Sequence, residues 1–141
     1  MSDWINAPDN PMGHFGFVYV ITHKEGPYYV GSCQFKRKVR RKPLKGQKRK
    51  RICWVESKWK SYWGSSKNLL EAVEQEGKDA FVREIASVHE SRFDLSYAEA
   101  QLQFDLNVLQ DKMSWNGIIQ IRLGKPVGDP IAHARKNRNE R

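Results

Sequence analysis

The stretch GFVYVITHKEGPYYVGSC, residues 16–33, decides the fold. Its two ends, Gly16 to Thr22 and Tyr28 to Cys33, are rich in β-branched and aromatic residues, which favour pleated strands. Between them lies His-Lys-Glu-Gly-Pro, a run of turn-forming residues. The stretch therefore predicts a β-hairpin, and this hairpin supplies the first two strands of a sheet.

A helix is predicted further along the chain. Ser65 or Ser66 can cap its first turn, and the pattern extends to about Gln75 before Gly77 ends it. The residues expected on its buried side are Leu69, Leu70 and Val73. Their spacing is that of a helix with one apolar face against a core.

Three further segments complete the predicted order of elements. Residues 80–88, AFVREIASV, have the pattern of a third strand, and residues 96–109, SYAEAQLQFDLNVL, have the pattern of a second helix. The apolar face of this helix is expected to consist of Ala98, Leu102, Leu106 and Leu109. A last short strand is expected at residues 115–123. The order β-β-α-β-α predicts an α+β fold.

The positive charge of the chain is concentrated in one run. The net charge is +9, yet Lys36 to Arg51, KRKVRRKPLKGQKRKR, contains eleven Lys or Arg and no acid. The rest of the chain has fourteen basic and sixteen acidic residues, a net of −2. Such a run is typical of a segment that contacts nucleic-acid phosphates, although a solvated loop is the plain alternative.

The sequence leaves the conformation of this basic run open. Pro43 and Gly46 interrupt it, which favours an extended loop or a broken helix over one regular element. The aromatic residues that follow, Trp54, Trp59, Tyr62 and Trp63, could stack on bases or belong to the core. We expect Trp59 to be a core residue.

Composition limits the class of protein. A chain of 141 residues with 39% hydrophobic residues is the size of one domain with an apolar core. It lacks both a run of about 18 to 20 apolar residues and a secretory leader pattern, so we expect a cytoplasmic protein with no membrane partner. Cys33 and Cys53 are expected to be reduced thiols, and the four histidines are too scattered to specify a metal site. Motifs for nucleotide hydrolysis, esterase and dehydrogenase chemistry are missing.

The most specific signal is a pair of strand motifs. Val18-Tyr19-Val20 and Tyr29-Val30-Gly31 place one tyrosine on each strand of the hairpin, ten residues apart. They resemble the motif that defines the GIY-YIG nuclease family. Four further blocks look like those of phage-encoded members in the same order, at residues 59–66, 77–81, 96–99 and 115–117. The resemblance covers about residues 16–123.

The resemblance implies a fold and an activity. The implied fold is a small three-stranded antiparallel sheet flanked by helices, with the basic run as an insert after the second strand. Residues 16–123 would form the nuclease domain, with 1–15 as an N-terminal segment and 124–141 as a flexible basic tail. The implied activity is metal-assisted hydrolysis of phosphodiester bonds in double-stranded DNA by a free-standing, phage homing-type endonuclease, acting as a monomer or a dimer in the cytoplasm of the host.

The resemblance also assigns site residues. Glu99 corresponds to the metal-binding glutamate, and its carboxylate suits Mg²⁺ or another divalent metal such as Mn²⁺. Tyr19 and Tyr29 would position or deprotonate the attacking water, which requires nearby positive charge because a phenol has a pKa near about 10. Gly31 permits a tight backbone turn and Asn116 supports the site by hydrogen bonding.

The basic residues are harder to assign. The family's arginine lies shortly after the tyrosine-glycine strand, where the basic run stands here, and Arg40 and Arg49 are the favoured candidates among its arginines. Other residues are expected to contact DNA phosphates: Lys36, Arg37, Lys38, Arg41, Lys48, Lys50, Arg51 and Lys67. Lys67 stands at a helix start, where amides attract anions, and a plain helix cap is its alternative.

Two alternatives stay open at Glu99. Ser96 and Glu99 have the spacing of a capping box, which would give this glutamate a local structural role. A shifted alignment would put Gln103 in place of the acid, and an amide is a poor ligand for a hard cation. The second reading of the chain is accordingly a catalytically inactive nucleic-acid-binding protein on the same scaffold, and an RNA-binding structural protein is a third.

Overall fold

The central element is a four-stranded mixed sheet. A computed structural model describes residues 3–124 and 129–139. The strands lie in the order β1-β6-β2-β3, with β1 parallel to β6 and the other pairs antiparallel. Their bounds are Trp4–Ile5 for β1, Gly16–His23 for β2, Tyr28–Gln34 for β3 and Phe81–His89 for β6. The α+β class is confirmed, and the three antiparallel strands are those expected from the sequence.

Strand β2 is buried on both faces because each face has its own core. Phe17, Tyr19 and Ile21 point to one side and pack with Trp59, which is 4% exposed and confirms its expected place in the core. Val18 points to the other side and packs with Val30, Leu95 and Val108. A strand covered on both sides has its side chains held in fixed positions, so the hairpin is a rigid platform.

Helix α1, Lys67–Glu76, has the predicted ends. The Ser66 hydroxyl accepts a hydrogen bond from the Leu69 amide at 3.4 Å, and Gly77 ends the helix with a φ of 85°. Leu69 and Val73 are buried, as predicted. Leu70 is 43% exposed, so its prediction was wrong. One residue along a helix turns the side chain by about 100°, which carries Leu70 off the buried stripe.

Helix α2, Arg92–Asp105, begins and ends earlier than predicted. Ser91 is its N-cap, and its hydroxyl accepts from the Asp94 amide at 3.1 Å. Ser96 therefore lies inside the helix, and the capping-box interpretation of Ser96 and Glu99 was wrong. The predicted apolar face holds only at Ala98 and Leu102, which pack against the core. Two predicted members follow the helix and are exposed, at 41% and 51%: Leu106 and Leu109.

The described residues 115–123 contain no strand, so that prediction was also wrong. The segment meets the edge of β3 through a single parallel bridge between Tyr28 and Ser114. Strand pairing does not continue because the Asn116 side chain occupies the hydrogen-bonding groups of Val30. It accepts from the Val30 amide at 2.9 Å and donates to the Val30 carbonyl at 2.8 Å. A side chain thus replaces a ladder of backbone bonds.

The basic run folds as a β-ribbon. Strands β4, Lys36–Arg41, and β5, Arg51–Glu56, form a separate two-stranded antiparallel sheet. Pro43 and Gly46 lie in the connection between them. The prediction of an extended loop is wrong for Lys36–Arg41 and for Arg51, which belong to strands, and it holds for residues 42–50, which contain neither helix nor strand. The broken helix is not present in this run. The charge pattern gave no indication of the two short strands, whose side chains alternate between two faces.

The terminal segments also contain structure. Trp4 of β1 pairs with Arg83 of β6, and its indole nitrogen donates to the Trp59 carbonyl at 2.9 Å. Residues 130–139 form helix α3, Pro130–Asn139, within the segment expected as a flexible tail. Residues 125–128 and 140–141 of that segment lie outside the described residues. Across the described ranges, we find no helix with the length and apolar character needed for a membrane span.

Candidate active site

Tyr19 lies beneath the candidate site, inside the protein. Its side chain is 1% exposed, and its ring faces Gly31, its register partner on β3. A Cβ atom at Gly31 would stand 2.5 Å from the Tyr19 hydroxyl and 2.7 Å from Cζ. Gly64, with a φ of 88°, closes over the same hydroxyl, 3.1 Å from where its own Cβ would be. Both glycines are thus required by the close approach of one phenol.

This burial changes the role that the sequence suggested for Tyr19. Desolvation, followed by the neighbouring Tyr62 and Tyr29, raises the pKa of Tyr19 far above its ordinary value. A phenol in this state stays neutral and does not deprotonate water at any physiological pH. It instead supports the floor of the site through its ring contact with Tyr29, whose centroid is 6.2 Å away, and its hydrogen bond with Tyr62.

Tyr29 and Glu99 open into one cleft of about 350 Å³. Tyr29 is half-buried, and its hydroxyl lies 3.5 Å from that of Ser65. Strand β3 brings Tyr29 to this cleft and helix α2 brings Glu99, while Ser65 and Ser66 close it from the start of α1. The expected convergence of a hairpin phenol with a helix carboxylate therefore holds for Tyr29, but not for Tyr19.

The Glu99 carboxylate is partly desolvated and receives two hydrogen bonds. Ser32 donates to Oε2 at 2.6 Å and Gln103 donates to Oε1 at 3.4 Å. Burial raises the pKa of Glu99, and these two donors act in the opposite direction. No Lys, Arg or His forms an ion pair with Glu99 among the residues that the structure describes. The site thus holds a half-buried carboxylate that accepts two hydrogen bonds and has no ion-pair partner among the described residues.

Gln103 and Asn116 both donate to the Val30 carbonyl of β3 and both line the cleft. Gln103 is 6% exposed, and its amide also donates to the Val30 carbonyl at 3.2 Å. Asn116, in the C-terminal segment, forms hydrogen bonds with the amide and carbonyl of the same Val30 and lines the cleft beside Glu99. Gln103 thus lies within hydrogen-bond distance of Glu99 and lines the same cleft.

A second, larger cleft of about 510 Å³ lies beside the first. Ser32 lines it while donating to Glu99, so one side chain forms a wall between the two clefts. Three cationic residues and no acid line this cleft: Arg37, Lys58 and Arg92. Its chemistry suits an anion next to Glu99.

Sequence reasoning missed three of these residues, although one signal could have found Arg92. Arg92, Ser96, Glu99 and Gln103 stand at i, i+4, i+7 and i+11, which is one face of a helix. With the helix start placed at Ser96, Arg92 fell outside the pattern. Ser32 follows the Tyr29-Val30-Gly31 motif directly, and Lys58 precedes the aromatic block without any pattern of its own.

The favoured arginines lie elsewhere. Arg40 and Arg49 are exposed on the ribbon and its connection, and neither lines a cleft. Arg37, which qualified for the family's arginine but was predicted as a phosphate contact, is the arginine of the run that lines the larger cleft. Lys67 begins α1 beside the Ser66 cap and is exposed. The other predicted DNA contacts lie on β4, on β5 or in their connection.

The cleft residues fit one hard divalent cation rather than an all-protein cage. Within residues 3–124 and 129–139, no group of three or more His, Cys, Asp or Glu could hold a metal. Mg²⁺ commonly uses one or two carboxylates and fills its other positions with water and substrate phosphate. The Glu99 carboxylate, which opens to a polar cleft and has no ion-pair partner among the described residues, offers that kind of site.

Comparison with known proteins gives one match. The model of the family described as "Putative endonuclease segE, GIY-YIG domain" matches residues 4–119. The matched range runs from β1 to the segment after Asn116, so it contains the ribbon and every residue that lines the two clefts except Gln120. No curated protein and no solved structure matches the chain.

Proposed function

We propose that this chain, which belongs to the segE-type GIY-YIG endonuclease family, cleaves phosphodiester bonds in DNA by hydrolysis at the Glu99 cleft. The reaction would use a divalent metal such as Mg²⁺ or Mn²⁺. The observation that carries the proposal is the shared opening of Tyr29 and Glu99 into one polar cleft, beside a second cleft whose charged lining residues are all cationic. Hydrolysis of a phosphodiester needs an oriented water, compensation of charge and a stabilised leaving oxygen.

The two clefts offer residues for the oriented water and for the compensation of charge. Glu99 would hold the metal, which when bound supplies positive charge that polarises the scissile phosphate. Tyr29 would orient the attacking water through its hydroxyl, with Ser65 beside it. Arg37 and Arg92 would hold the DNA backbone phosphate in the larger cleft and stabilise negative charge there.

Other residues would act by position. Tyr19 supports the ring of Tyr29 from below, Gln103 orients Glu99, and Asn116 fixes strand β3 against the C-terminal segment. Because these groups are buried and hydrogen bonded, the reacting groups would meet the substrate without rearrangement of the protein.

The biological setting belongs to the same proposal. We assign the chain to the free-standing, phage homing-type endonucleases acting on double-stranded DNA in the cytoplasm of the host. The matched family and the in-chain basic ribbon support this assignment, since the ribbon supplies DNA affinity without a separate binding domain. Two strands would be cut by two copies or by two successive events at one site.

A plasmid assay tests the activity. Supercoiled DNA with Mg²⁺ should be converted to nicked or linear product by the unmodified chain, and Glu99→Gln should lower the rate by about 100-fold or more. Glu71→Gln, an exposed position on α1, is the matched control and should cut normally. Tyr29→Phe should also slow cutting. Salt-sensitive binding without any cutting under Mg²⁺ or Mn²⁺ would instead establish the inactive nucleic-acid-binding alternative.

A further inference from the structure

The ribbon formed by β4 and β5 presents two chemically different faces. Directly paired residues of antiparallel strands point to the same side. One face therefore carries three cross-strand pairs: Lys36 with Glu56, Lys38 with Trp54, and Arg40 with Ile52. The other face carries Arg37 with Val55, Val39 with Cys53, and Arg41 with Arg51. We call the first the tryptophan face and the second the cysteine face.

The tryptophan face exposes apolar side chains between cations. Ile52 is 59% exposed and Trp54 is 44% exposed. The ammonium groups of Lys36 and Lys38 lie 5.9 and 5.3 Å from the centroid of the Trp54 ring. On the cysteine face the apolar members are half-buried instead. Exposed apolar groups held among cations on a projecting element are typical of a surface that contacts a partner.

The root of the ribbon is fixed to the core. The Phe35 amide donates to the Phe15 carbonyl at 2.9 Å, and the Ser57 amide donates to the Phe35 carbonyl at 2.8 Å. Phe15 also makes an edge contact with Trp54, at 6.2 Å between centroids, and lines the larger cleft. The ribbon thus starts at the wall of the candidate active site and extends away from it.

From these observations we infer that the ribbon enters the major groove of the DNA duplex and reads base edges with its tryptophan face. The inference rests on the proposed DNA substrate and adds the element that selects the sequence. A major groove about 12 Å wide admits a two-stranded β-ribbon, whereas the minor groove is about half as wide. The segment from Lys36 to Arg51 has eleven basic residues and no acid, and its positive charge is complementary to the negative phosphates that border the groove.

The residues of the tryptophan face have the chemistry for this readout. The Arg40 guanidinium can donate two hydrogen bonds to the O6 and N7 atoms of guanine, and Ile52 beside it can contact a thymine methyl group. Lys38 and Trp54 continue the face toward the root. Arg41, which points to the opposite side, and the cations of the connection would contact phosphates without reading sequence.

Arg40 and Arg41 provide a matched pair of variants. They are adjacent, exposed and equally charged, and they differ in the face to which they point. Arg40→Ala and Arg41→Ala, each made in full-length Glu99→Gln protein, are used to select bound molecules from a randomised duplex DNA library. Each variant should lose affinity, and Arg41→Ala, which removes a phosphate contact, should reduce the slope of log affinity against log salt by about one. Only Arg40→Ala should alter the selected motif, with discrimination at one base pair falling about 10-fold.

A modified base tests the groove. Replacing guanine by 7-deazaguanine at the selected position removes a major-groove acceptor and leaves the minor groove and the phosphates unchanged. Binding of the Glu99→Gln parent should weaken about 10-fold, while that of Arg40→Ala should not change. Ile52→Ala provides a second test of the face and should relax preference for thymine.

Several results would overturn the inference. The first is that Arg40→Ala and Arg41→Ala select the same motif, or that the Glu99→Gln parent selects no motif. The second is that 7-deazaguanine does not change binding of the parent. The third is that the parent binds an RNA duplex more tightly than a DNA duplex, because the deep and narrow major groove of RNA excludes a ribbon. Because the readout is binding by Glu99→Gln protein, it does not depend on cutting. A chain that never cuts but shows the Arg40 effect would refute only the proposed hydrolysis.

Discussion

The chain contains two antiparallel hairpins that follow each other directly, and they have opposite physical characters. The hairpin of β2 and β3 has a core on each face and carries the candidate site. The hairpin of β4 and β5 is a two-stranded sheet of its own, with most of its side chains exposed. A two-stranded sheet alone in water is marginally stable. The comparison shows how one small domain divides its work between a pair of strands that packing fixes and a pair that remains available to a partner.

The largest expected effect concerns the fixed hairpin at Gly31. Gly31→Ala would put a methyl group 2.5 Å from the hydroxyl of a buried tyrosine ring, so we expect a loss of about 3 kcal/mol in the free energy of unfolding. Urea denaturation measures this loss. Gly117→Ala, where a Cβ atom meets nothing within 4 Å, should stay within about 0.5 kcal/mol of the parent. Equal stability of the two variants would contradict the described packing of Tyr19.

The next effect concerns Asn116, which joins the C-terminal segment to the fixed hairpin. Asn116→Ala removes both hydrogen bonds to the Val30 backbone and leaves the buried Val30 amide without its partner, while Gln103 still donates to the Val30 carbonyl. The loss should cost about 2 kcal/mol of unfolding free energy. The exposed Asn68 of α1 offers the control, and Asn68→Ala should cost no more than about 0.5 kcal/mol. Slow amide hydrogen exchange at Val30 in the parent and fast exchange in Asn116→Ala would identify the cause.

The elements of the fixed hairpin could be predicted from the sequence because local pattern and tertiary burial agree there. Gly16 to Thr22 has β-branched and aromatic residues wherever the fold needs them, and Ser66 with Gly77 marks both ends of α1. Glu99 and Tyr29 could be predicted to share one site because the resemblance to the family assigned both residues to it. Such agreement between levels is what makes a segment readable.

Other parts could not be predicted because the deciding contacts are distant in sequence. Tyr19 has the same local pattern as Tyr29, and only the packing of Trp4, Tyr62 and Gly64 around it buries one phenol and not the other. Asn116 replaces strand pairing by side-chain bonds to a residue 86 positions away. In the ribbon, a run of like charges carries no sequence pattern from which to predict the strand register that pairs Arg40 with Ile52.

A smaller effect is expected at Arg92, which faces the larger cleft between the two hairpins. Arg92→Ala should lower kcat/KM for DNA cleavage by about 10-fold, equivalent to about 1.4 kcal/mol of transition-state stabilisation. The unfolding free energy should change little because Arg92 is exposed. Arg135→Ala on α3 removes the same charge away from both clefts and is the control. If both variants cut equally, the larger cleft does not hold the reacting strand.

The smallest effect concerns a second clamp on the edge of the fixed hairpin, where the Tyr28 hydroxyl donates to Asp111 at 2.7 Å. The Met113 amide first, and then Tyr28, hold the pKa of Asp111 below its usual value, while burial followed by Asp111 raises the pKa of Tyr28 to about 12. A carboxyl group whose pKa is lower in the folded chain stabilises the fold at every pH above its unfolded pKa, which is about 3.9. This stabilisation is lost as the pH falls through the pKa of the folded state. Tyr28→Phe should therefore move the Asp111 pKa upward in an NMR titration and reduce the sensitivity of stability to acid. The remaining shift should persist, since the Met113 amide still donates. An unchanged Asp111 pKa in Tyr28→Phe would mean that the hydroxyl contact does not hold the segment in solution.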